Sequence, residues 1–287
     1  YLYAFPQTTI GSFVFVHHTP VRIVATIIGL LLAVLGYTYP VVRFLQRYRE
    51  SQGAGASSIF GSTMRRMTLA ACLSGVALLG TWGATQQAPS WVDKMVDQKF
   101  KAEKKELEEA GHADQAAALV KPKAKEYMLI WLSVGAIVGT LAAAFLGDLL
   151  GRRKAYFLLC IISFGSVLLL FQYNHGYGPM MLFSAFVAGT CTASFYGWLP
   201  LYLPELFRTS VRATGQGFGF NFGRILAAVG SFQLGTLVGK FPNGIDLGFF
   251  KLAGGYATAC TLLSLVYAIG MILIWFAPET KGQPLPD

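Results

Sequence analysis

Long apolar runs alternate with short polar seams along this chain. The runs cover residues 24–42, 67–82, 127–146, 156–172, 179–203, 213–238 and 252–276. A helix needs about 20 apolar residues to cross a hydrocarbon layer about 30 Å thick, and each run reaches or approaches that length. The pattern predicts seven membrane-spanning helices. A further apolar stretch, residues 2–16, reads as the tail of an eighth, with Pro6 inside it.

The seams differ in charge, and the difference predicts orientation. Arg43, Arg47, Arg49, Arg65 and Arg66 flank the seam after the first full span. Arg152, Arg153 and Lys154 follow the third, Arg208 and Arg212 the fifth, and Lys281 the seventh. The alternate seams hold a single base (Lys240, Lys251) or none, apart from residues 84–126. Basic connections stay in the cytoplasm, so the C-terminus is expected there, in the plasma (inner) membrane. The stretch "ESQGAGASSIFGSTM" between the first two spans is rich in Gly, Ser and Ala and reads as a flexible cytoplasmic linker, residues 43–66.

Residues 84–126 form the exception, a charged insertion with eight Lys and eight Asp or Glu. Within it, residues 91–109 place Val92, Met95, Val96, Phe100 and Leu107 at near-helical spacing. This predicts an amphipathic, solvent-facing helix. It is either a solvated insertion or a lid or docking element for a partner.

Composition agrees with the pattern. The chain of 287 residues is 54% hydrophobic and 13% charged, with mean hydropathy +0.51, whereas soluble domains carry about 25% charged residues. The net charge of +9 is spread over seams between apolar runs and forms no single patch. Nucleic acid is therefore excluded as a partner, and the lipid bilayer is the solvent. Cys72, Cys160, Cys191 and Cys260 lie inside apolar runs and read as small core residues. There is no HExxH, CxxC or Walker loop, and the spaced glycines of "FGFNFG" sit inside an apolar helix rather than after a strand. The histidines form no metal set. No enzyme activity, metal or cofactor is expected.

One acid breaks the pattern. Asp148, in "FLGDLLGRRKA", ends a helix whose C-terminus already carries partial negative charge, so it calls for a cationic partner; Arg152 lies four residues on. This stretch resembles the loop signature of the major facilitator superfamily, through Leu146, Gly147, Asp148, Gly151, Arg152 and Arg153, with Ala144 and Leu149 as departures. "LPELFRTSVRATGQGFGFNFGRI" is similar to the Pro-Glu-Leu-Phe loop of its sugar-porter and metabolite–proton symporter branches, through Pro204, Glu205, Leu206, Phe207, Thr209, Arg212 and Gly215. "PETKG", residues 278–282, resembles the end of the last sugar-porter helix. The long insertion at 84–126 departs from the family's short connection.

The resemblance implies an all-α membrane protein, a major facilitator-type helical bundle. Residues 1–42 would end the N-terminal bundle, and residues 67–282 would form a six-helix C-terminal bundle with a cytoplasmic tail, 283–287. The chain opens on Tyr1 and reads as the later part of a longer protein, whose N-terminal bundle is the expected partner of this one. The resemblance also implies that Asp148, Arg152, Arg153, Glu205, Arg212 and Glu279 form a cytoplasmic gate network rather than a substrate site.

Arg224 is the candidate substrate ligand read from its own position. It falls near mid-membrane, where a cation costs at least about 2.5 kcal/mol and must face a cavity or a partner. Gly217, Asn221, Arg224, Ala228 and Ser231 share one small, polar helix face. Arg224 is either an anion ligand, a member of a structural ion pair, or a snorkelling side chain. Tyr196, Trp198 and Tyr202, with Pro200 and Pro204, line a solute path or form an interfacial belt. Gln86 and Gln87 resemble the paired glutamines of sugar porters, at the outer helix end.

The expected function is secondary active transport of a small polar solute, an organic acid or similar metabolite, by proton symport and alternating access. A sugar porter or uniporter is the alternative, and a membrane receptor or sensor on the same fold is the alternative of another class. Apart from lipid, the expected partners are a small solute, possibly anionic, and H+ as coupling ion.

Overall fold

The computed structural model describes residues 7–10, 13–16, 19–52, 56–246, 248 and 250–286. The chain divides into two compact units, residues 1–62 and 63–287. The first holds a hairpin, β1 Gln7–Ile10 paired antiparallel with β2 Phe13–Val16, followed by helix α1, Thr19–Gln52. The described part of the 2–16 run is therefore strand rather than the tail of a helix; residues 2–6, 11 and 12 lie outside the described residues. The expected flexible linker is also largely helical. α1 runs on to Gln52 and α2, Ala56–Leu78, begins four residues later; residues 53–55 of the linker, and residue 287 of the expected tail, lie outside the described residues.

The second unit continues α2 through a π-turn, Leu79–Ala84, and a 3-10 turn, Thr85–Gln87, into α3, Ala88–Glu109. Then come α4 Ala113–Ala118, α5 Ala124–Leu150, α6 Arg152–Gln172, α7 Pro179–Ala193, α8 Phe195–Glu205, α9 Arg212–Phe232 and α10 Leu234–Lys240. A two-residue hairpin, β3 Ile245–Asp246 with β4 Lys251–Leu252, leads to α11 Tyr256–Ser264 and α12 Val266–Leu273. Seven helical stretches among the described residues are long and apolar enough to cross a membrane, one for each apolar run. The fold class is all-α.

Helices in lipid gain little from burying apolar surface against one another, so close backbone contact must supply the attraction. α5 and α7 meet this way. A Cβ on Gly139 would run into the carbonyl of Thr190, one on Gly135 into that of Phe186, and one on Gly189 into that of Leu132. The contact brings hydroxyls within reach of the facing backbone. Ser194 Oγ donates to the Gly139 carbonyl at 3.1 Å, and Thr140 Oγ1 to that of Ala193 at 3.3 Å.

Against this pair, α6, α8 and α12 enclose an aromatic core. Trp198 lies 4.7 Å from both Tyr156 and Tyr202, and Phe195 stacks on Tyr267 at 5.8 Å. All five rings are fully buried. Gln172 ties α6 to α11: its Nε2 donates to the Ala257 carbonyl and Thr261 Oγ1, and its Oε1 accepts from the Ala253 N–H.

The charged insertion carries the expected helix as an extension of the second span: its first half docks on the bundle, and residues 101–109 are mostly exposed. Val92 and Val96 are buried, and Trp91 packs 5.0 Å from Phe171. Lys121, on the return stretch, bonds Asp93 at 2.9 Å and reaches Asp97 at 3.3 Å, while Lys94 donates to the Tyr256 hydroxyl at 2.8 Å. The spacing of Val92 and Val96 predicted the helix, but not what their face would cover.

Gly139→Leu should force α5 off α7. Overpacking of a tight contact costs about 1–3 kcal/mol, so the variant should unfold at lower temperature in detergent micelles. Gly165→Ala, where a Cβ meets nothing within 4 Å, should not lower it.

Candidate functional site

Two features of the second unit carry chemistry, a charged cluster at one set of helix ends and a pair of cavities. The cluster begins with the break between α5 and α6. Gly151 adopts φ +86°, and a Cβ there would also lie 3.2 Å from Glu279 Oε2. The backbone conformation calls for glycine, and a Cβ would in addition push Glu279 by a few tenths of an ångström. The turn releases Arg152, whose side chain is only 7% exposed, toward Glu205 at the end of α8. Nε and NH2 of Arg152 donate to the two carboxylate oxygens of Glu205 at 2.9 and 2.6 Å. This two-pronged, charge-assisted pairing is a strong form of hydrogen bond. Thr280 Oγ1 adds a third bond to Glu205 at 2.6 Å.

Glu279 plays a different part. Its carboxylate accepts from the backbone N–H groups of Arg152 at 2.8 Å and Arg153 at 3.0 Å. It thus caps the N-terminus of α6 from 127 residues away, where free N–H groups and the helix dipole favour an anion. Burial works to raise its pKa. The N–H groups of Arg152, Arg153, Lys281 and Thr280 outweigh burial and hold it below the ordinary glutamate value.

Asp148 pairs with Arg152 NH1 at 2.8 Å, so the partner that its helix end demanded is there. Its side chain is 69% exposed, however, which makes it the outermost arm of the cluster. Arg153 donates through Nε to the Ala277 carbonyl at 2.5 Å. Arg212 stands apart: it donates to the carbonyls of Phe207 and Pro286, with no carboxylate within salt-bridge distance among the described residues. Every bond of the cluster lies within residues 63–287.

The cavities lie where α2, α9 and α5 face α8. One, of about 350 Å³, is lined by Leu78, Trp82, Tyr196, Phe220, Arg224, Ala227, Ala228 and Ser231. The other, of about 490 Å³, is lined by Thr81, Trp82, Gln86, Tyr196, Thr140 and apolar residues of α5. Trp82 and Tyr196 border both. Arg224 stands over the Phe220 ring at 4.9 Å and has no carboxylate within 4.0 Å among the described residues. The Tyr196 hydroxyl is buried without a hydrogen-bond partner among them.

Of the candidate path residues, Arg224, Tyr196 and Gln86 therefore line cavities. Trp198 does not: two residues from Tyr196, it points to the opposite side of α8, into the aromatic core. Asn221 lines neither cavity and donates to the Gly217 carbonyl one turn back. Gln87 turns to the Trp82 carbonyl. Sequence reasoning missed Trp82 and Thr81, which lie in the π-turn and line the cavities. It also missed the capping role of Glu279, which joins residues too distant for any spacing rule.

A bundle of membrane-length helices with largely apolar cavities that carry a few polar groups, and an ion-paired cluster at the helix ends, is compatible with a solute transporter. Residues 124–287 match the family described as "Sugar (and other) transporter". The chain belongs to this family, within the major facilitator superfamily. It is 26% identical over 241 residues to a probable 4-methylmuconolactone transporter of Cupriavidus pinatubonensis, covering 83% of this chain and 48% of that one. It is 27% identical over 214 residues to the cis,cis-muconate transport protein of Acinetobacter baylyi, covering 75% and 43%. Solute carrier family 22 member 6 of Mus musculus is 29% identical over 138 residues, covering 48% and 23%. The chain spans about half the length or less of these relatives. The family and these relatives are transporters, not enzymes.

Glu205→Ala would leave a nearly buried guanidinium without its main partner, a loss of about 3–5 kcal/mol. Asp148→Asn removes an exposed pairing and should cost at most about 1 kcal/mol. Thermal unfolding in nanodiscs should separate the two variants clearly. The stabilisation from Glu279, whose pKa is lowered on folding, is complete above the ordinary value of 4.5 and lost as pH falls through the lowered one. Glu279→Gln should therefore lose less stability than the parent protein on acidification from about pH 5 to about pH 3.

Proposed function

We propose that the full-length protein is a secondary transporter of the plasma membrane that carries an anionic organic acid by proton symport and alternating access. The observation that carries this reading is Arg224, a cation on a cavity wall with no carboxylate beside it among the described residues. A guanidinium deep in the bilayer has a standing cost of about 2.5–3.5 kcal/mol, which a carboxylate solute relieves on entering. The names of the two bacterial relatives, a methylmuconolactone and a muconate transporter, favour the same solute class.

In this reading the cluster around Arg152 is the gate. Arg152, Glu205 and Glu279 hold the ends of α6, α8 and the tail in one arrangement, with Asp148 and Arg153 as outer arms. Making and breaking such a cluster against the N-terminal bundle shifts a two-state balance by a few kcal/mol. The basic seams and the C-terminus lie on the cytoplasmic side.

Arg224→Gln in the full-length protein should raise the KM for cis,cis-muconate or 4-methylmuconolactone uptake at least about tenfold, with membrane insertion unchanged. An unchanged KM for both solutes would remove Arg224 from the site.

A further inference from the structure

The second span is one continuous helical stretch, Gly61–Glu109, yet it passes from α to π to 3-10 and back to α over residues 79–87. Helices bend where the hydrogen-bond ladder is interrupted in this way. Pro89, in the first turn of α3, removes one more backbone donor. This joint is therefore the least self-supporting part of the span, and it carries Thr81 and Trp82 of the cavity walls. We infer that the docked half of α3, residues 88–97, is a brace that fixes the joint, with Trp91 and Lys94 as positioning residues for Thr81 and Trp82. The brace stands on contacts within residues 63–287, and only its effect on solute binding rests on the function proposed above.

The joint is fastened on both sides. On the side of α2, Thr81 Oγ1 bonds the Ala77 carbonyl at 2.8 Å and that of Thr192, in α7, at 3.2 Å. The Tyr267 ring lies so close to Gly80 that a Cβ there would run into it. On the side of α3, the half-buried Trp91 packs on Phe171 in the last turn of α6, and Val92 and Val96 are buried. Lys94 Nζ donates to the hydroxyl of Tyr256, the first residue of α11, at 2.8 Å. Lys121 ties the return stretch to Asp93 and Asp97. A joint held from both sides cannot bend without breaking one set of contacts.

The far half of α3 is built differently. Residues 101–109 are mostly exposed, and the charges pair along the helix itself: Lys101 with Asp97 at 2.7 Å, Lys105 with Glu109 at 3.3 Å and Lys104 with Glu108 at 4.0 Å. Pairs at this spacing support a helix standing in water and add nothing to docking. Lys121 also reaches Asp97, so the chain enters and leaves this far part at neighbouring points. The brace needs none of it.

Hydrogen exchange of the full-length protein in nanodiscs is the test, since a local opening raises exchange only where it occurs. Trp91→Ala should speed exchange over residues 79–87 about tenfold or more, with α9 unchanged. Lys94→Met, which leaves the buried packing intact, should speed the same residues by a smaller factor of about three. Replacing residues 101–118 with a short Gly-Ser link should leave them unchanged. In uptake assays with cis,cis-muconate, both point variants should raise KM and change kcat less. Exchange over 79–87 unchanged in both variants, or raised equally in α9, would overturn the brace. Acceleration by the 101–118 replacement as large as that by Trp91→Ala would overturn its assignment to the docked half. Faster exchange with an unchanged KM would remove Trp91 and Lys94 as positioning residues. Faster exchange confined to 79–87, with no uptake of muconate or 4-methylmuconolactone by the parent protein, would support the brace and sink the function proposed above.

Discussion

The backbone contact between α5 and α7 is the constraint on which the bundle depends. Apolar side chains have no preference between lipid and a neighbouring helix, so most of this chain's hydrophobic surface says nothing about which helices pair. Gly135, Gly139 and Gly189 do, because they let carbonyls pack where side chains would otherwise stand. That contact fixes the start of α8, since Ser194 bonds back across it. α8 in turn sends Tyr196 to the cavities, Trp198 to the core and Glu205 to Arg152. One steric permission therefore sets three groups with separate roles.

How much of this was legible in sequence follows from the range of each force. The seven spans were legible because bilayer thickness imposes a length that composition alone reveals. Arg224 drew notice because a cation inside an apolar run is costly enough to need a reason, and the structure places it on a cavity wall. Asp148 was legible in part: the dipole argument found its partner, Arg152, but could not see that Glu205 would take the buried side of the guanidinium. Trp198 and Tyr196 were indistinguishable in sequence, because both are aromatics on one short helix and only packing decides which faces inward.

The extension at α3 shows the limit from the other direction. Its charges marked a helix that faces water, and they left unseen that Trp91, Val92 and Val96 would cover part of the bundle, with Lys94 bonded to Tyr256. Charge composition reports what one face of a helix does and leaves the opposite face undetermined. Likewise, the capping of α6 by Glu279 joins a helix start to a segment beyond the last span. Local rules recognise a cap made by a neighbouring Ser or Asp, and here the neighbouring residue is a glycine, which has no side chain to offer.

The π-turn at Leu79–Ala84 has a consequence for how such a protein changes over time. A residue inserted into a regular α-helix turns everything after it by about 100°, whereas a π-turn takes the extra residue into one wide turn and confines the change. Thr81 and Trp82, inside that turn, stand at the cavity walls, while Val92 and Val96 beyond it remain buried against the bundle. A change of length in such a chain can thus be taken up at one turn, which alters the wall locally and leaves the docked face of α3 in place.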